Sequence, residues 1–457
     1  ADTVIDGADA DGDTHDPVTC DFPSPAVAGT PETDELADDP SHCGQPSYSW
    51  LRDDSLGEIL EFGDTHEYTA ALLAAAVESQ GYQTPVPIEH DTVVKTFRYR
   101  TQDRGEHIDA TAMFAYPTDV DAAEAQDILL LLHGTTGFND ACAPSNDDAS
   151  RLLAALFASL GYVVVAPDYI GLKSLGEPSD ELHPYLVGQA TAIASLDSVR
   201  ALGKMDIAER DGICLTNRVV TFGGSQGGHA ALWVDRLKPY YARELELLGT
   251  VATVPPADLV GQMERALDDF VNATGNTIAF LGTAAYWYEA GDRLDEAFVD
   301  PLDTQIPEAL GNSCNPGDNV DERTIEEIFQ PGLYEPARND NLESVDPWGC
   351  ITAENGLTTT SVERIPPTRD SYGILTVFSE NDELVHTPIE RDAFAELCSQ
   401  GMEMEYLECA GADHVEGTLF AFPEIVEFIQ ARFAGETFDP ADLCTTTAPT
   451  TCRGTPD

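Results

Sequence analysis

The chain alternates short, continuous apolar runs with longer segments whose apolar residues recur at helical spacing. Apolar runs without polar alternation are typical of strands that are buried on both faces of a sheet. They predict buried strands at residues 127–132 and 162–166, and we predict further strands at 218–222, 247–254, 372–378 and 403–407. Helical spacing predicts helices over residues 151–160, 185–203, 387–398 and 417–433. This alternation predicts an α/β fold with a mostly parallel central sheet that helices flank on both sides.

The segment ahead of the first buried strand has a different pattern. Residues 48–81 show helical spacing, most clearly over 68–78. Extended runs follow at 92–99 and 108–116, and the second of them ends at Pro117. We interpret these two runs as a leading antiparallel pair of strands.

Residues 256–370 interrupt the alternation, because they contain no strong buried-strand pattern. They include an acidic amphipathic segment at 259–270 and an apolar, aromatic one at 277–290, both of helical character. Insertions of this length are usually functional, and we expect a helical lid or cap above the carboxyl edge of the sheet. The alternative is a second structural layer that only packs. The predicted divisions are an acidic flexible N-terminal arm at 1–45, core segments at 46–255 and 371–435, the cap at 256–370 and a C-terminal tail at 436–457.

Acidic residues dominate the charge of the chain. Of 457 residues, 82 are Asp or Glu and 23 are Lys or Arg, which gives a formal net charge of −59. Such a surface repels phosphate backbones, so we expect no nucleic-acid partner. Because salt screens repulsion between like charges, the composition favours a halophilic protein from a salt-rich habitat. Asp9, Asp11 and Asp13 alternate as in calcium-binding loops, but no Gly follows Asp13 and no Glu closes the loop, which favours a solvated acidic arm.

The ten cysteines are scattered and have no C-x-x-C spacing, which disfavours a metal site. Their even number favours up to five disulfides formed in an oxidising compartment, and the alternative is a set of buried free thiols. No apolar run approaches the length of a membrane span, and Ala1 does not open a signal peptide. We therefore expect a processed, secreted form of the protein without a transmembrane segment.

A glycine-rich turn stands at the end of one predicted strand. The apolar run ends in Gly223 and Gly224, Ser225 follows, and Gly227 and Gly228 precede an Ala- and Leu-rich helical segment. This is the G-x-S-x-G pattern of a nucleophile elbow, in which residues without a Cβ let the backbone turn sharply and expose the serine hydroxyl. A glycine-rich turn without chemistry is the alternative. Because a strand and a helix flank the motif as the mechanism requires, we interpret Ser225 as a nucleophile.

A serine nucleophile needs an imidazole that takes its proton and a carboxylate that fixes the imidazole tautomer. In this class of fold the chain order is serine, acid, histidine. Asp382 lies in the loop after a predicted buried strand, where the acid is required, and Glu380 and Glu383 compete for the role. His414 lies between the last predicted strand and the last predicted helix, and this position singles it out. Structural roles are expected for three other histidines: His183, His229 and His386.

The oxyanion that forms during attack on a carbonyl needs two backbone N–H donors, one just after the nucleophile and one in an early loop. Gln226 supplies the first. The loop after the apolar run at 127–132 reads His133-Gly134-Thr135-Thr136-Gly137-Phe138. We assign the second donor to Thr136, and Thr135 remains the alternative.

These motifs resemble those of the α/β-hydrolases and, within them, of the secretory lipase family, to which a yeast lipase A belongs. The resemblance covers about residues 50–435 and includes the elbow, the interval from Asp382 to His414 and the long insertion. Further matching segments are Cys142-Ala143-Pro144-Ser145, Pro167-Asp168-Tyr169 and His183-Pro184-Tyr185. The resemblance implies an α/β-hydrolase fold with a helical lid, cleavage of carboxylic esters including triacylglycerols, and a disulfide from Cys142 to Cys314 of the lid. At Thr136 the chain departs from the yeast enzyme, which has an acidic residue there.

The sequence therefore predicts a monomeric, secreted, lidded serine hydrolase that cleaves carboxylic esters through a Ser-His-Asp triad and an acyl-enzyme, without a metal or an organic cofactor. The ester is a small molecule, a lipid or a polyester, and its acyl length stays open. We assign substrate contacts to Thr135, Phe138, Tyr286 and Trp287. Two alternatives remain: a peptidase or acyltransferase on the same fold, and a non-catalytic, acidic surface-binding protein on a hydrolase scaffold.

Overall fold

The computed structural model describes residues 22–23, 43, 50–51, 54–79, 84–120, 125–206, 209–317, 323–438 and 442–456. Its strands are β1 (Ile59–Tyr68), β2 (Thr92–Asp103), β3 (Glu106–Pro117), β4 (Ala125–Leu132), β5 (Val163–Pro167), β6 (Cys214–Gly224), β7 (Glu246–Thr253), β8 (Gly373–Ser379) and β9 (Met404–Cys409). They form one sheet in the order β1-β2-β3-β5-β4-β6-β7-β8-β9. The first three strands pair antiparallel with their neighbours, and β4 to β9 pair in parallel.

Helices follow most of the parallel strands. They are α1 (Ala70–Ser79), α2 (Asp148–Ser159), α3 (Gly188–Lys204), α4 (Gln226–Tyr241), α5 (Leu259–Asp268), α6 (Thr274–Trp287), α7 (Leu294–Ala297), α8 (Leu302–Leu310), α9 (Pro331–Ala337), α10 (Trp348–Asn355), α11 (Thr387–Ser399), α12 (Glu416–Phe420) and α13 (Phe422–Ala434). Leu130 of β4 packs in one core cluster with residues of α3, α4 and α11. Its neighbour Leu129 packs in another cluster with residues of α2 and α13. Because successive strand residues face opposite sides, the apolar run of β4 is buried between two helical layers, as predicted.

The helical interpretation of residues 48–81 is wrong for the described residues ahead of Ala70 and is confirmed over Ala70–Ser79. Ile59–Tyr68 form the edge strand β1, which pairs antiparallel with β2, and the helix begins only at Ala70. Most β1 side chains are partly or fully exposed, and Phe62 is 39% exposed. Pairing with the free edge of β2 therefore outweighs the helical spacing, which is a weak local preference. The predicted antiparallel pair of β2 and β3 is confirmed.

The described residues between β7 and β8 form the helices α5 to α10. They have their own apolar cluster, which includes Phe280 of α6 and Trp348 of α10. Phe138 and Tyr185 of the core belong to the same cluster. The insertion therefore packs both on itself and on the core beside the predicted active site.

All nine cysteines in the described part of the chain are disulfide-bonded, which confirms disulfides over free thiols there. Two disulfides reach the insertion, Cys142–Cys314 and Cys43–Cys350, and two hold the C-terminal segment, Cys398–Cys444 and Cys409–Cys452. The first of these is the pairing that the resemblance implied. Most of the acidic arm, including Asp9, Asp11, Asp13 and Cys20, lies outside the described residues. No helix among the described residues is both long and apolar enough to cross a membrane.

Candidate active site

Ser225 lies at the sharp turn between β6 and α4. Its backbone has φ 57° and ψ −121°, a conformation that is costly for a residue with a Cβ. Its amide donates to the carbonyl of Thr253 at 2.9 Å. A Cβ on Gly223 would lie 2.2 Å from the carbonyl oxygen of Gly227, and one on Gly227 would lie 2.1 Å from that of Leu132. Only glycine fits at these two positions, and the tight packing holds the serine at the end of the strand.

The imidazole of His414 contacts both other predicted triad residues. Its Nε2 is 2.9 Å from Ser225 Oγ, and its Nδ1 is 2.7 Å from Asp382 Oδ2. A carboxylate can only accept, so Nδ1 carries a proton and donates it to Asp382. Nε2 is then free to accept the hydrogen of the Ser225 hydroxyl. This is the contact pattern that a Ser-His-Asp triad requires.

The acid loop distinguishes among its three carboxylates. Asp382 is buried, and its Oδ1 accepts from two backbone amides of its own loop, each at 2.9 Å. Glu380 instead accepts from the amide of Gly411 at 2.8 Å, and Glu383 pairs with Arg265 at 3.3 Å. The carboxylate that faces His414 is therefore that of Asp382.

His414 lies in a loop between β9 and α12. The carboxylate of Asp413 accepts from the amides of Val415 and Glu416 at 3.0 and 2.9 Å. The Glu416 carboxylate accepts in return from the amide of Asp413 at 3.0 Å. These reciprocal hydrogen bonds fix the backbone on both sides of the imidazole.

Gln226 and the loop after β4 lie beside the serine. A Cβ on Gly134 would lie 3.7 Å from the Cβ of Ser225, so this loop passes alongside the nucleophile. Gln226 is the first residue of α4, where backbone N–H groups have no acceptor within the helix. Thr136 Oγ1 and Gln226 Oε1 are buried and have no hydrogen-bond partner within the described part of the chain. Such atoms are rare in folded proteins, and here they lie on the two residues whose backbone amides are the predicted oxyanion donors.

A row of buried rings lies behind Gln226. Its Nε2 is 2.6 Å from Nε2 of His183, whose Nδ1 is 2.8 Å from the carbonyl of Ile170. Nδ1 therefore donates to that carbonyl, and Nε2 accepts from the Gln226 amide. Burial lowers the pKa of His183 to about 3, so the ring is neutral. Tyr169 stacks between His183 and His133, with centroid distances of 5.7 and 4.0 Å.

His229 is likewise buried, and its Nε2 is 2.7 Å from the carbonyl oxygen of Asn355. Burial lowers its pKa to about 4. The environments of His183 and His229 agree with the structural roles expected for them.

A cavity opens next to Ser225 between the core and the insertion. It encloses about 500 Å³ of space, a figure that includes open solvent at its mouth. Its apolar wall includes Leu186, Leu259, Met263, Phe280, Leu384 and Val385. Its polar groups come from Tyr185, Gln262, Asn276 and Thr277. The shape and lining suit an apolar chain attached to a group that reacts at Ser225.

The assignment of Tyr286 and Trp287 to substrate binding needs correction, because neither lines this cavity. Thr277 and Phe280 of the same helix line the cavity. Trp287 lies ten residues after Thr277, which places it about 15 Å further along the helix axis at roughly 1.5 Å per residue. The indole N–H of Trp287 donates to Asp103 in the core at 2.9 Å. Tyr286 is 42% exposed to solvent. Trp287 therefore anchors the C-terminal end of α6 to the core, away from this cavity.

Thr135 and Phe138 also lie behind the cavity wall. The Thr135 hydroxyl is 2.8 Å from that of Tyr185, and Phe138 packs edge-on against the Tyr185 ring at 5.3 Å. Tyr185 lines the cavity but was not predicted to, although it is the last residue of the His183-Pro184-Tyr185 segment. Leu384 and Val385 also line the cavity and were not predicted to, although they come shortly after Asp382, which indicates that they lie near the active site. Within the described residues, no group of three or more His, Cys, Asp or Glu side chains could hold a metal ion.

A sequence profile described as secretory lipase matches residues 147–439. The chain belongs to the secretory lipase family. This family member is 27% identical over 292 residues to Lipase 2 of Candida albicans, a match that covers 61% of this chain and 56% of the relative. It is 24% identical over 393 residues to Lipase 1 of the same organism, covering 83% of this chain and 78% of the relative. A secreted triacylglycerol lipase of Malassezia furfur, LIP5, is 23% identical over 315 residues, which are 65% of this chain and 76% of the relative.

Solved structures resemble this secretory lipase family member across most of its length. The rice cell wall degrading esterase LipA from Xanthomonas oryzae matches with a TM-score of 0.64 and 21% identity, covering 83% of this chain and 97% of that one. Candida antarctica lipase A in its closed state matches with a TM-score of 0.61 and 16% identity, covering 87% and 86% of the two chains. At these identities the likeness shows the fold alone. It confirms the predicted α/β-hydrolase fold.

Proposed function

We propose that this chain is a serine hydrolase that cleaves carboxylic esters, with Ser225 as the nucleophile. The observation that carries the proposal is the pair of contacts made by His414, 2.9 Å to Ser225 Oγ and 2.7 Å to Asp382 Oδ2. Membership of the secretory lipase family supports the same reaction class.

The reaction runs in two halves. Ser225 Oγ attacks the ester carbonyl carbon while its proton passes to Nε2 of His414. The resulting oxyanion collapses, the alcohol leaves with the proton from His414, and the acyl group stays on Ser225. A water molecule then gives a proton to His414 and attacks the acyl carbonyl carbon. The bond from Ser225 Oγ to the acyl carbon breaks, Ser225 Oγ takes the proton from His414, and the acid is released. Throughout, Asp382 holds Nδ1 of His414 and stabilises the imidazolium.

We assign the oxyanion to the amides of Gln226 and Thr136. Gln226 is at the N-terminus of α4, where free N–H groups and the helix dipole favour negative charge. The buried Thr136 hydroxyl has no acceptor among the described residues, and an oxyanion beside Ser225 would supply one. The Thr135 hydroxyl, by contrast, is engaged with Tyr185. The unused Thr136 hydroxyl and the engaged Thr135 hydroxyl favour Thr136 as the residue that faces the oxyanion, and its backbone amide as the second donor.

The substrate that the cavity fits best is a neutral ester with an apolar acyl chain. The wall beside Ser225 is mainly apolar, and the net charge of −59 disfavours anionic substrates. Export to an oxidising compartment follows from the disulfides that occupy every described cysteine. The salt requirement and the monomeric state stay predictions from the sequence.

Matched p-nitrophenyl esters and p-nitroanilides, with acyl groups from acetate to palmitate, test the scissile bond at several salt concentrations. We expect turnover of the esters and at most trace turnover of the anilides, because no feature of the cavity is specific for an amide. Faster turnover of the anilides would overturn the proposal in favour of a peptidase. No turnover of either series, with no covalent labelling of Ser225, would indicate a non-catalytic protein.

A further inference from the structure

Tyr185 touches both the insertion and the loop beside the nucleophile. Its side chain is buried, with 3% of the residue exposed, and lines the cavity. Its hydroxyl oxygen is 2.9 Å from Nδ2 of Asn276 in α6 and 2.8 Å from the hydroxyl of Thr135. The phenol therefore bridges the cap helix and the oxyanion loop.

The chemistry of the groups fixes the direction of one of these two hydrogen bonds. An amide nitrogen can only donate, so Asn276 donates to the phenol oxygen of Tyr185. Between the hydroxyls of Tyr185 and Thr135 either oxygen can donate, because each carries one hydrogen and can also accept. Burial raises the pKa of Tyr185 further above neutral pH, so the phenol stays protonated. A chain of hydrogen bonds therefore runs from α6 through Tyr185 to Thr135.

Thr135 lies in the loop next to the nucleophile, between two glycines. It lies between Gly134, which passes beside Ser225, and Thr136, the proposed oxyanion donor. On its far side, Gly137 has φ 137° and packs on the Cys142–Cys314 disulfide, where a Cβ would lie 2.4 Å from the sulfur of Cys142. The disulfide therefore holds the loop at Gly137, and the bond from Tyr185 holds it at Thr135.

Tyr185 is itself firmly held. Its amide donates to the hydroxyl of Thr283 in α6 at 3.2 Å, and its ring packs edge-on against Phe138. The next residue, Leu186, has a φ of 55°, a strained value that packing must maintain. A rigid tyrosine is suited to position a loop.

We propose that Tyr185 is a positioning residue that holds Thr135 so that the amide of Thr136 points at the oxyanion. The proposal rests on the proposed function. It makes the cap helix α6 part of the catalytic geometry, because Asn276 orients the phenol. Loss of the phenol hydroxyl loosens the loop without removing any group that contacts the reacting atoms.

The test compares Tyr185→Phe with Tyr288→Phe. Tyr288, the residue directly after α6, is a matched control. Like Tyr185 it is buried, and its hydroxyl accepts from an asparagine side chain, Asn355 Nδ2, at 2.9 Å. Active sites are counted with a fluorophosphonate, and turnover of p-nitrophenyl acetate is expressed per labelled site. A purely structural defect lowers the number of sites, whereas a displaced oxyanion donor lowers kcat at each site.

We expect kcat per site to fall about 10- to 100-fold in Tyr185→Phe, with KM changed less than about threefold, since small displacements of catalytic groups have effects of this size. Tyr288→Phe keeps the kcat of the parent. Thr135→Val should lower kcat per site as much as Tyr185→Phe does, whereas Thr135→Ser should retain most of the activity. In the Tyr185→Phe/Thr135→Val double variant, kcat per site should be no more than about twofold below that of the less active single variant, because both changes break the same bond.

A kcat per site within twofold of the parent in Tyr185→Phe would overturn the proposal, as would an equal loss in Tyr288→Phe. Full additivity of the two single effects would also contradict it, because the two hydroxyls would then act independently. Ser225→Ala distinguishes this failure from failure of the proposed function. If Ser225→Ala is inactive and Tyr185→Phe is normal, the hydrolase assignment stands and the positioning role is wrong.

Discussion

The sheet edge and the helical insertion between β7 and β8, the proposed cap, hold the residues of the proposed active site in different ways. Ser225, Asp382 and His414 follow the ends of parallel strands, and backbone hydrogen bonds or close glycine packing fix each of them. The cap instead presents side chains from helices that pack mainly on one another. The proposed chemistry therefore depends on rigid strand ends, whereas the fit of the acyl chain depends on helix faces. Substitutions on the two sides should separate turnover from selectivity.

The largest effect is expected on the sheet side. Asp382→Asn keeps the size of the side chain but loses the charge that fixes the His414 tautomer, so kcat should fall about 10⁴-fold. Circular dichroism should show an unchanged fold. Glu383→Gln is the matched control, because this neighbouring carboxylate pairs with Arg265 and should leave kcat within about twofold. Equal losses in both variants would contradict the assignment of the acid.

An intermediate effect is expected in the cap. Met263→Phe narrows the cavity, so turnover of p-nitrophenyl palmitate should fall about tenfold more than turnover of the acetate. Trp287→Phe loses the bond to Asp103, and it should lower the melting temperature by a few degrees while leaving the palmitate-to-acetate ratio unchanged. A changed ratio in Trp287→Phe would restore this residue to the substrate site. If Met263→Phe lowered turnover of the palmitate and the acetate by the same factor, Met263 would not determine selectivity for acyl length.

The smallest effect is expected where the two regions meet. Glu390 of α11 accepts from the amide of Ala257 at 2.9 Å and from Gln262 at 2.8 Å. Burial raises the pKa of its carboxyl to about 8. The pKa of an unfolded glutamate is about 4.3, so the folded state binds this proton more tightly than the unfolded state does. The contribution of Glu390 to the free energy of unfolding is therefore complete below about pH 4.3 and is lost as the pH rises through about 8.

Thermal melts of the parent and Glu390→Gln at pH 5 and pH 8.5 measure this contribution. The parent should lose at least about 3 °C more than the variant over that interval, because glutamine cannot ionise. Identical pH dependence in the two proteins would show that Glu390 is not a buried acid of raised pKa.

The two regions also differed in how far the sequence could predict them. Strands such as β4 and β5 contain continuous apolar runs because both faces of the sheet are covered, and this signal is local. The elbow, Asp382 and His414 follow such strands, so the parallel arrangement predicted that they would meet. The edge strand β1 had no such run, and its pairing with β2 is a tertiary effect that the local pattern does not contain.

The cap was harder because its helices are apolar on more than one face. In α6, Phe280 faces the cavity and Trp287 faces Asp103 of the core. Both are large aromatic residues in one apolar segment, and composition does not distinguish them. The role of Tyr185 depends on contacts with Thr135 and Asn276, residues far from it in the chain, so only the folded arrangement reveals it.

Covalent labelling with a fluorophosphonate, followed by peptide mapping, tests the central claim most directly. The account predicts a single adduct on Ser225 in the parent chain and labelling slowed at least about a thousandfold in His414→Ala, since the imidazole activates the hydroxyl. An adduct on a different serine, or undiminished labelling of Ser225 in His414→Ala, would contradict it.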